Sequence, residues 1–447
     1  MEVGKLTQKH FGGKAIILQR EVVQQNRERV RVTAPDWFSY DKVAQRYEAL
    51  FELLDWTVVR EQNDRAVQRG RLAHPEAATI KALLVMIVEK HEYVSDLHDY
   101  LSEHPALVWL LGFRVVPDAS SPYGFAVQQS LPSAGHLRRK LRSLATSSLT
   151  QLLAGTIQAL REAIPDLGQS IIVDVKHIYA YVKENNPRAY VTDRYEPSQQ
   201  PPGDKDCRLG VKRRDNRLDD TGKSRTQSEC LGGYGSGLAV TSTPDKQVVV
   251  LAEYTQPFNQ NDVTYALPLL NRAMMNLGFA PRTLIADAAF DAWYVYQWVV
   301  EIGGLGLVAL NERGKSATVL GPHDYPVCAC NGQEMQPKAC WIEDTQRVQR
   351  FYCPACQTIR KMNIEAGNIF RWRLDRQADP YKRLYKQRTA IERLNSRAEA
   401  FKIDQPRQRT ARAIARRNTL IYIVLNLQVL QSYRKRQPCP QFLDKVA

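Results

Sequence analysis

The chain has 447 residues, 44% hydrophobic and 24% charged, and its 62 Lys and Arg against 47 Asp and Glu give a net charge of +15. This composition excludes a disordered, collagen-like or coiled-coil chain, and the length predicts two or three domains. The longest apolar run, Thr419 to Leu430, is too short and too interrupted to cross a bilayer. Because Met1 to Arg20 lacks the apolar stretch of a secretory signal, we expect a cytoplasmic protein without a membrane partner.

The first third of the chain has the spacing of helices. Apolar residues recur with a period near 3.6 from Tyr40 to Asp55, and again from Pro75 to Leu101. A short helix is predicted from Leu107 to Phe113, where Pro105 precedes the segment. Ser133 is suited to cap the basic helix that follows it. We therefore predict a mainly helical region over residues 1–165.

The pattern changes to β-structure at Gln169, where an apolar, β-branched run as far as Val182 predicts a strand. Tyr190 to Leu231 is polar and rich in turn residues, and two interpretations stay open for it. It is either a disordered loop or an excursion whose basic residues face nucleic acid, namely Lys212, Arg213, Arg214 and Arg217. Beyond it we predict a hairpin (Leu238–Thr243 and Gln247–Glu253), a helix (Thr264–Met275), a strand (Thr283–Asp287), a helix (Ala292–Ile302) and a strand (Gly306–Leu310). That order predicts an α/β sheet.

Acidic residues occupy unusual positions in two of these strands. Asp174 interrupts one apolar strand and Asp287 ends another, although a buried carboxylate is costly unless it is paired or bound to a metal. A third acid, Glu392, lies on a predicted helix from Tyr381 to Phe401, on a polar stripe with Tyr385, Arg388, Asn395 and Glu399. Three carboxylates suit magnesium, and two ions would activate a water and stabilise the departing oxygen of a phosphodiester.

These residues resemble the signature of DDE transposases from bacterial insertion sequences. Asp174, Asp287 and the run Tyr385-x-x-Arg388-x-x-x-Glu392 match it, although Ala289-Phe290 replaces the usual Gly-Tyr. The resemblance implies a ribonuclease H-like mixed sheet flanked by helices, with Asp174, Asp287 and Glu392 as catalytic ligands of two magnesium ions. Related enzymes carry a Lys seven residues after the Glu. Here that position is Glu399, an unfavoured alternative third ligand, and Lys402 is the nearest substitute.

Five cysteines cluster in the 105 residues between Asp287 and Glu392, where similar transposases carry a β-rich insertion that contacts the transposon end. Two interpretations stay open: a structural zinc site, or unligated cysteines. The predicted ligands are Cys328, Cys330, Cys353 and Cys356, with Cys340 as a spare or a replacement. Aromatic residues of this part of the chain either stack on an unpaired base or pack in a core, namely Trp341, Tyr352, Phe370 and Trp372.

Positive charge is concentrated near the end of the chain, where residues 381–436 contain fifteen Lys and Arg and three acids. Such clustering indicates a polyanionic partner. The predicted DNA contacts are Tyr385, Arg388, Arg393, Arg397, Lys402, Arg407 and Arg409.

Together these features predict four parts of the chain: a DNA-binding or oligomerisation region (1–165), a first core segment (166–315), a cysteine-rich insertion (316–365) and a second core segment with basic helices (366–436). We predict a nucleoid-associated transposase that acts as a homodimer on double-stranded terminal repeats and target DNA. Two alternatives stay open: a catalytically inactive DNA-binding descendant, and a ribonuclease H-like nuclease without strand transfer.

Overall fold

A computed structural model describes residues 25–26, 28–30, 34–61, 74–218, 224–311 and 318–436, with the backbone alone for 212–218 and 224–228. The described part before residue 165 is helical, as the apolar spacing predicts. Its helices are α1 (Lys42–Phe51), α2 (Glu76–Val88), α3 (Val94–Ser102), α4 (Pro105–Leu111), α5 (Val127–Ser130), α6 (Ala134–Ser143) and α7 (Thr146–Ala163).

Local sequence explains where several of these helices begin and end. The Asp41 carboxylate accepts a hydrogen bond from the amide of Ala44 at the start of α1. Ser133 caps α6 as predicted, because its hydroxyl accepts from the amide of His136 at 3.2 Å. Helix α4 starts with Pro105 and ends at Gly112, whose φ of +99° is a left-handed conformation that glycine adopts readily.

Within the described residues, six strands form one mixed sheet. They are β1 (Ser170–Tyr179), β2 (Arg208–Leu218), β3 (Ser224–Ser242), β4 (Val248–Pro257), β5 (Thr283–Ala286) and β6 (Leu305–Val308). The order is β2-β3-β1-β5-β6, and β4 pairs with β3. β1 runs antiparallel to β3 and parallel to β5, which is itself parallel to β6. This mixed sheet with flanking helices confirms the predicted ribonuclease H-like fold class.

The long strand β3 corrects the interpretation of residues 190–231 as a loop. Its first half pairs with β2, from Arg208 opposite Gly233 to Leu218 opposite Ser224, and its second half pairs with β4. The second half of the supposed excursion is therefore a two-stranded ribbon. Lys212, Arg213, Arg214 and Arg217 all lie on its strand β2.

The helices that follow the hairpin flank the sheet and supply most of the remaining core. They are α8 (Ala266–Leu277), α9 (Trp293–Glu301), α10 (Ala366–Arg373), α11 (Asp379–Tyr385), α12 (Thr389–Glu399) and α13 (Ala411–Arg436). α12 contacts β1, β3 and β4, and therefore lies across the strand that carries Asp174.

Helix α13 buries the apolar run from Thr419 to Leu430 against β4, α7 and α2. The two polar residues that interrupt this run both have partners. Asn426 accepts a hydrogen bond from the amide of Val250 in β4 and donates to the carbonyl of Val250 and to Thr156 in α7, each at 2.9 Å. Gln428 accepts from Arg397 at 3.0 Å. None of the described helices combines the length and apolarity that a membrane crossing requires.

The cysteine-rich segment forms a second, smaller sheet in the order β7 (Gln336–Glu343), β8 (Gln346–Tyr352) and β9 (Ile359–Asn363). It has its own small core, in which Met335, Phe351 and Met362 are buried with two of the cysteines. The structure therefore has the β-rich cysteine insertion that the sequence predicts.

Candidate functional site

Strand register brings Asp174 and Asp287 to neighbouring positions on two parallel strands. Val173 of β1 pairs with Ala286 of β5, and each acid is the next residue along its strand. Because adjacent strands lie about 4.8 Å apart, the two acids start from adjacent backbone positions. The Asp287 carboxylate also accepts a hydrogen bond from the amide of Ala289 at 2.9 Å, which fixes its orientation as the chain leaves the sheet.

The closeness of the two aspartates changes the pKa of the Asp174 carboxyl. Burial and the nearby Asp287 raise its pKa to about 7, while a hydrogen bond from the amide of Val175 and the charge of Arg388 act in the opposite direction. Asp262 adds a smaller repulsion. A negative charge at this position is therefore disfavoured unless a cation accompanies it.

The signature residues Tyr385 and Arg388 are close enough to the aspartates to interact with them electrostatically. Burial raises the pKa of the Tyr385 phenol, Arg388 opposes this, and the carboxylates of Asp287 and Asp174 raise it further. The Tyr385 ring stacks on Tyr381 at a centroid distance of 5.4 Å and an interplanar angle of 11°. A 3₁₀ turn from Lys386 to Arg388 separates α11 from α12, so the predicted continuous helix is divided at this point.

Glu392 is connected to the aspartate pair through Arg388. Its carboxylate accepts a hydrogen bond from Arg388 at 2.7 Å, one helical turn earlier, and its side chain is 55% exposed. Among the described residues, one group of three or more His, Cys, Asp or Glu side chains has all its ligand atoms within 4.8 Å of one another, and that group is the cysteine cluster. The carboxylates of Asp174, Asp287 and Glu392 are not gathered to that spacing, and Arg388 is the side chain that interacts with both parts of the set.

Glu399, at the position where related enzymes carry Lys, forms an ion pair with Lys176 of β1. Lys176 is two residues beyond Asp174 and therefore projects from the same face of the strand. Its side chain is only 14% exposed. The sequence-based substitute Lys402 is exposed and has a left-handed φ of +55°, and its carbonyl accepts a hydrogen bond from Arg417. The cation beside position 399 is therefore Lys176.

The remaining predicted DNA contacts fall into two groups. Arg393, Arg407 and Arg409 are exposed like Lys402, whereas Arg397 is partly buried and burial lowers the pKa of its guanidinium. Arg407 donates to Glu92 at 3.0 Å, and Arg409 donates to a backbone carbonyl at 3.1 Å. These two guanidinium groups lie over the ring of Tyr181, at 4.9 and 5.2 Å from its centroid.

The structure brings together the four predicted zinc ligands. The sulfur of Cys328 lies 3.3 Å from that of Cys330 and 3.5 Å from that of Cys356, and Cys330 lies 3.6 Å from Cys353. A disulfide would need about 2.0 Å. Four thiolates around zinc, each about 2.3 Å from the ion, are separated by about 3.8 Å. The cluster is thus compatible with zinc, and Cys340 lies outside it.

Two tight turns position these cysteines. The amide of Gly332 donates to the carbonyl of Cys328 at 2.9 Å, and Gly332 has a φ of +69°. The amide of Gln357 donates to the carbonyl of Cys353 at 2.8 Å, again with a positive φ at the fourth residue after the cysteine. The two turns therefore share the same closing hydrogen bond, from the fourth residue back to the first cysteine of each pair.

The aromatic residues of this region divide between surface and core. The cations of Arg350 and Lys361, which are cross-strand neighbours, each lie 5.6 Å from the ring centroid of Trp341. Lys338 is 5.4 Å from the ring of Tyr352. The other two residues belong to α10, where Phe370 packs against the main core and Trp372 lies beside Arg371.

A buried ion pair joins the segments on either side of the cysteine insertion. Arg371 of α10 donates to both carboxylate oxygens of Asp291, which follows β5 by five residues, with Nε at 2.7 Å. Asp291 also accepts from the Tyr296 hydroxyl at 2.8 Å and the Asn311 amide at 2.9 Å. Its side chain has no exposure. The pair therefore fixes α10 against the acid-bearing half of the sheet.

Sequence reasoning missed Asp262, an acid that interacts electrostatically with both Asp174 and Asp287. Burial and the charge of Asp287 raise its pKa to about 6. It begins a 3₁₀ turn, Asp262–Tyr265, that leads into α8. An acid at the start of a helix is expected for helix stability alone, so nothing in the sequence distinguishes this residue from an ordinary helix-start acid.

Comparison with known proteins identifies the family. A family model described as "Transposase DDE domain" matches residues 171–427, which is more than half of the chain. No curated protein sequence matches. A solved structure, the piggyBac transposase synaptic complex with hairpin DNA, is similar at 10% sequence identity and a TM-score of 0.33, with coverage of 86% of this chain and 77% of that chain. On the family match, this chain belongs to the transposase DDE-domain family.

Proposed function

We propose that this protein is a DNA transposase of the Tyr-Arg-Glu insertion-sequence type, which cuts DNA at transposon ends and joins them to target DNA. In the cutting step, water attacks the phosphorus and the bond to the 3′ oxygen breaks, which leaves a 3′ hydroxyl. In the joining step, that hydroxyl loses its proton and attacks the phosphorus of a target phosphodiester. A new oxygen–phosphorus bond forms as the bond to the target's own 3′ oxygen breaks, and the departing oxygen takes up a proton. The adjacency of Asp174 and Asp287 on parallel strands is the observation that carries the proposal.

The acidic residues fit magnesium. Carboxylate oxygens are the ligands that this hard cation prefers, and the raised pKa of Asp174 reflects a site where negative charge lacks compensation. Asp174, Asp287 and Glu392 would hold two ions, which supply a polarised water and stabilise the departing oxygen. Glu392 would exchange its contact with Arg388 for this role, and Arg388 would then be available to a DNA phosphate.

Exposed basic residues near the end of the described chain, and an aromatic residue of the insertion, support DNA as the partner. Lys402, Arg393, Arg407 and Arg409 are exposed, and we assign them to phosphate contacts together with Tyr385, Arg388 and the partly buried Arg397. The insertion offers a second surface, where two cations each lie 5.6 Å from the ring centroid of Trp341. A base stacked on such an aromatic ring and phosphates paired with its cations would be stabilised together. The protein would act on both ends of the element as a homodimer.

We also propose that the four clustered cysteines bind one structural zinc ion. A site closed by four thiolates has no open position for chemistry, so the ion would stabilise the small β7–β9 sheet. The core of that sheet contains few apolar side chains, which is the situation in which a bound metal contributes most to folding.

The proposal is tested with purified protein and DNA that carries the sequences flanking its gene, in Mg²⁺ or Ca²⁺. Transposase activity predicts nicking at the ends and joined products in Mg²⁺, with binding but little cleavage in Ca²⁺. Nicking without joined products would indicate a nuclease instead. Specific binding without either product in Mg²⁺ or Mn²⁺ would indicate an inactive DNA-binding descendant.

A further inference from the structure

A third aspartate, Asp262, begins a turn that packs against the segments of Asp174 and Asp287, although it is distant from both in sequence. The 3₁₀ turn that it begins contacts strand β1, and it also contacts the 3₁₀ turn Ala288–Phe290 that directly follows Asp287. The turn is therefore packed between the two segments that carry the aspartates. The side chain of Asp262 is partly buried at this junction.

Two glycines of β3 hold this turn against the sheet. Tyr265, the last residue of the turn, is 1% exposed, and its hydroxyl donates to the carbonyl of Gly235 at 3.3 Å. A Cβ atom at Gly235 would lie 2.3 Å from that hydroxyl, and one at Gly237 would lie 2.4 Å from a ring carbon of Tyr265. Both positions pair with residues of β1 just beyond Asp174. The absence of these two side chains lets Tyr265, and with it Asp262, approach the sheet closely.

The charge interactions agree with this placement. Asp287 raises the pKa of Asp262, and Asp262 in turn raises that of Asp174. An isolated acid at the start of a helix can turn its side chain to solvent and so avoid burial. Asp262 instead remains beside two like charges, in a position fixed by the packing of Tyr265.

We propose that Asp262 is a fourth metal-binding acid of the active site, completing with Asp174 and Asp287 the ligand set for a divalent cation. This inference rests on the proposed function and extends its site by one residue. The acids differ in where they are attached. Asp174, Asp287 and Asp262 belong to the sheet and its adjoining turns, and their carboxylates, like that of Glu392, are not gathered within 4.8 Å of one another in this structure. We expect a bound cation to draw the aspartates together, and Glu392, paired with Arg388 on α12, to join when DNA and metal are bound.

The test measures metal binding through thermal unfolding, which does not depend on catalysis. Wild-type protein, Asp262→Asn, Asp174→Asn and Asp287→Asn are each titrated with Mg²⁺ or Mn²⁺. Asp344→Asn is the matched control, because Asp344 is exposed in the β7–β8 turn, and asparagine tolerates its left-handed conformation. We expect Asp262→Asn to weaken the apparent metal affinity about tenfold or more, and to raise the melting temperature of the metal-free protein by removing repulsion. Asp262→Glu, which restores the charge, should recover part of the affinity.

Failure of this inference and failure of the proposed function give different results. If Asp174→Asn and Asp287→Asn lose metal binding while Asp262→Asn binds as the wild type does, Asp262 is not a ligand and the transposase assignment stands. If none of the three substitutions changes metal binding, the aspartates do not form a metal site and both proposals are wrong. Reduced affinity together with a lower metal-free melting temperature in Asp262→Asn would indicate a structural role and would also overturn the inference.

Discussion

The ion pair between Asp291 and Arg371 is a quantitative test of how the insertion is joined to the core. Arg371→Met removes the guanidinium and leaves a fully buried carboxylate with only the Tyr296 hydroxyl and one backbone amide as donors. Removing one partner of a buried pair costs about 3 to 5 kcal/mol of stability. Arg373, on the same helix, pairs with Asp324 where both side chains are nearly half exposed. Arg373→Met should therefore cost at most about 1 kcal/mol.

The pH dependence of this loss follows from the pKa of Asp291. Burial opposes ionisation of Asp291, but hydrogen bonds from Arg371, Asn311 and Tyr296 outweigh it, so the pKa is lowered. Such a group adds stability above its unfolded pKa of about 4, and this stability is lost as the pH falls through the folded pKa. Arg371→Met removes the largest interaction that lowers the pKa of Asp291. Burial then dominates, and the pKa of Asp291 in the folded variant rises. The deficit of the variant should then increase between about pH 4 and pH 7.

The assay is urea unfolding of the wild type, Arg371→Met and Arg373→Met, followed by tryptophan fluorescence at several pH values. Equal deficits for the two variants would refute the argument from burial. A deficit of Arg371→Met that is independent of pH would show that the Asp291 carboxylate is not the group left without its partner.

Three further predictions concern metal content, the helix above β1 and DNA binding. We expect about one zinc per chain by elemental analysis, and chelation should make residues 318–363 susceptible to proteolysis while the main core stays folded; zinc-free protein with the same resistance would contradict this. Lys176→Glu should destabilise the protein by placing like charges beside Glu399, and the charge-swapped double variant with Glu399→Lys should recover most of that loss in urea unfolding; a double variant as unstable as the single one would show that the ion pair does not contribute. Neutral substitution of Arg407 or Arg409 should each reduce the salt dependence of DNA binding by about one unit of slope, and an unchanged slope after both substitutions would place the DNA elsewhere.

The strands that carry Asp174 and Asp287 were predictable because each is a short apolar run whose regular pattern is broken by one acid. The ribbon of β2 and β3 was not. Its charged sequence has no alternating apolar pattern and therefore resembles a loop, because hydrogen bonds between the two strands define the ribbon instead. The glycines of β3 could not be explained from the sequence either. A side chain at Gly235 or Gly237 would clash with Tyr265, which lies 28 residues beyond Gly237.

The candidate site shows a similar division. Spacing alone placed Tyr385, Arg388 and Glu392 on one side of a helix, and Arg388 does contact Glu392. Spacing gave no indication that Lys176 of β1 would pair with Glu399, because that pairing joins residues 223 positions apart. The four cysteines were recognisable because two close pairs separated by a short stretch of chain have the spacing of a zinc site.

The central claim, that the adjacent aspartates perform DNA cleavage, is tested most directly by Asp174→Asn. The variant protein and the Asp344→Asn control are incubated with transposon-end DNA and Mg²⁺, and binding, nicking and joining are scored on the same samples. The account predicts that Asp174→Asn abolishes nicking and joining while DNA affinity stays within a few-fold of wild type or increases, since removal of a carboxylate reduces phosphate repulsion. Cleavage at wild-type levels by Asp174→Asn would contradict it.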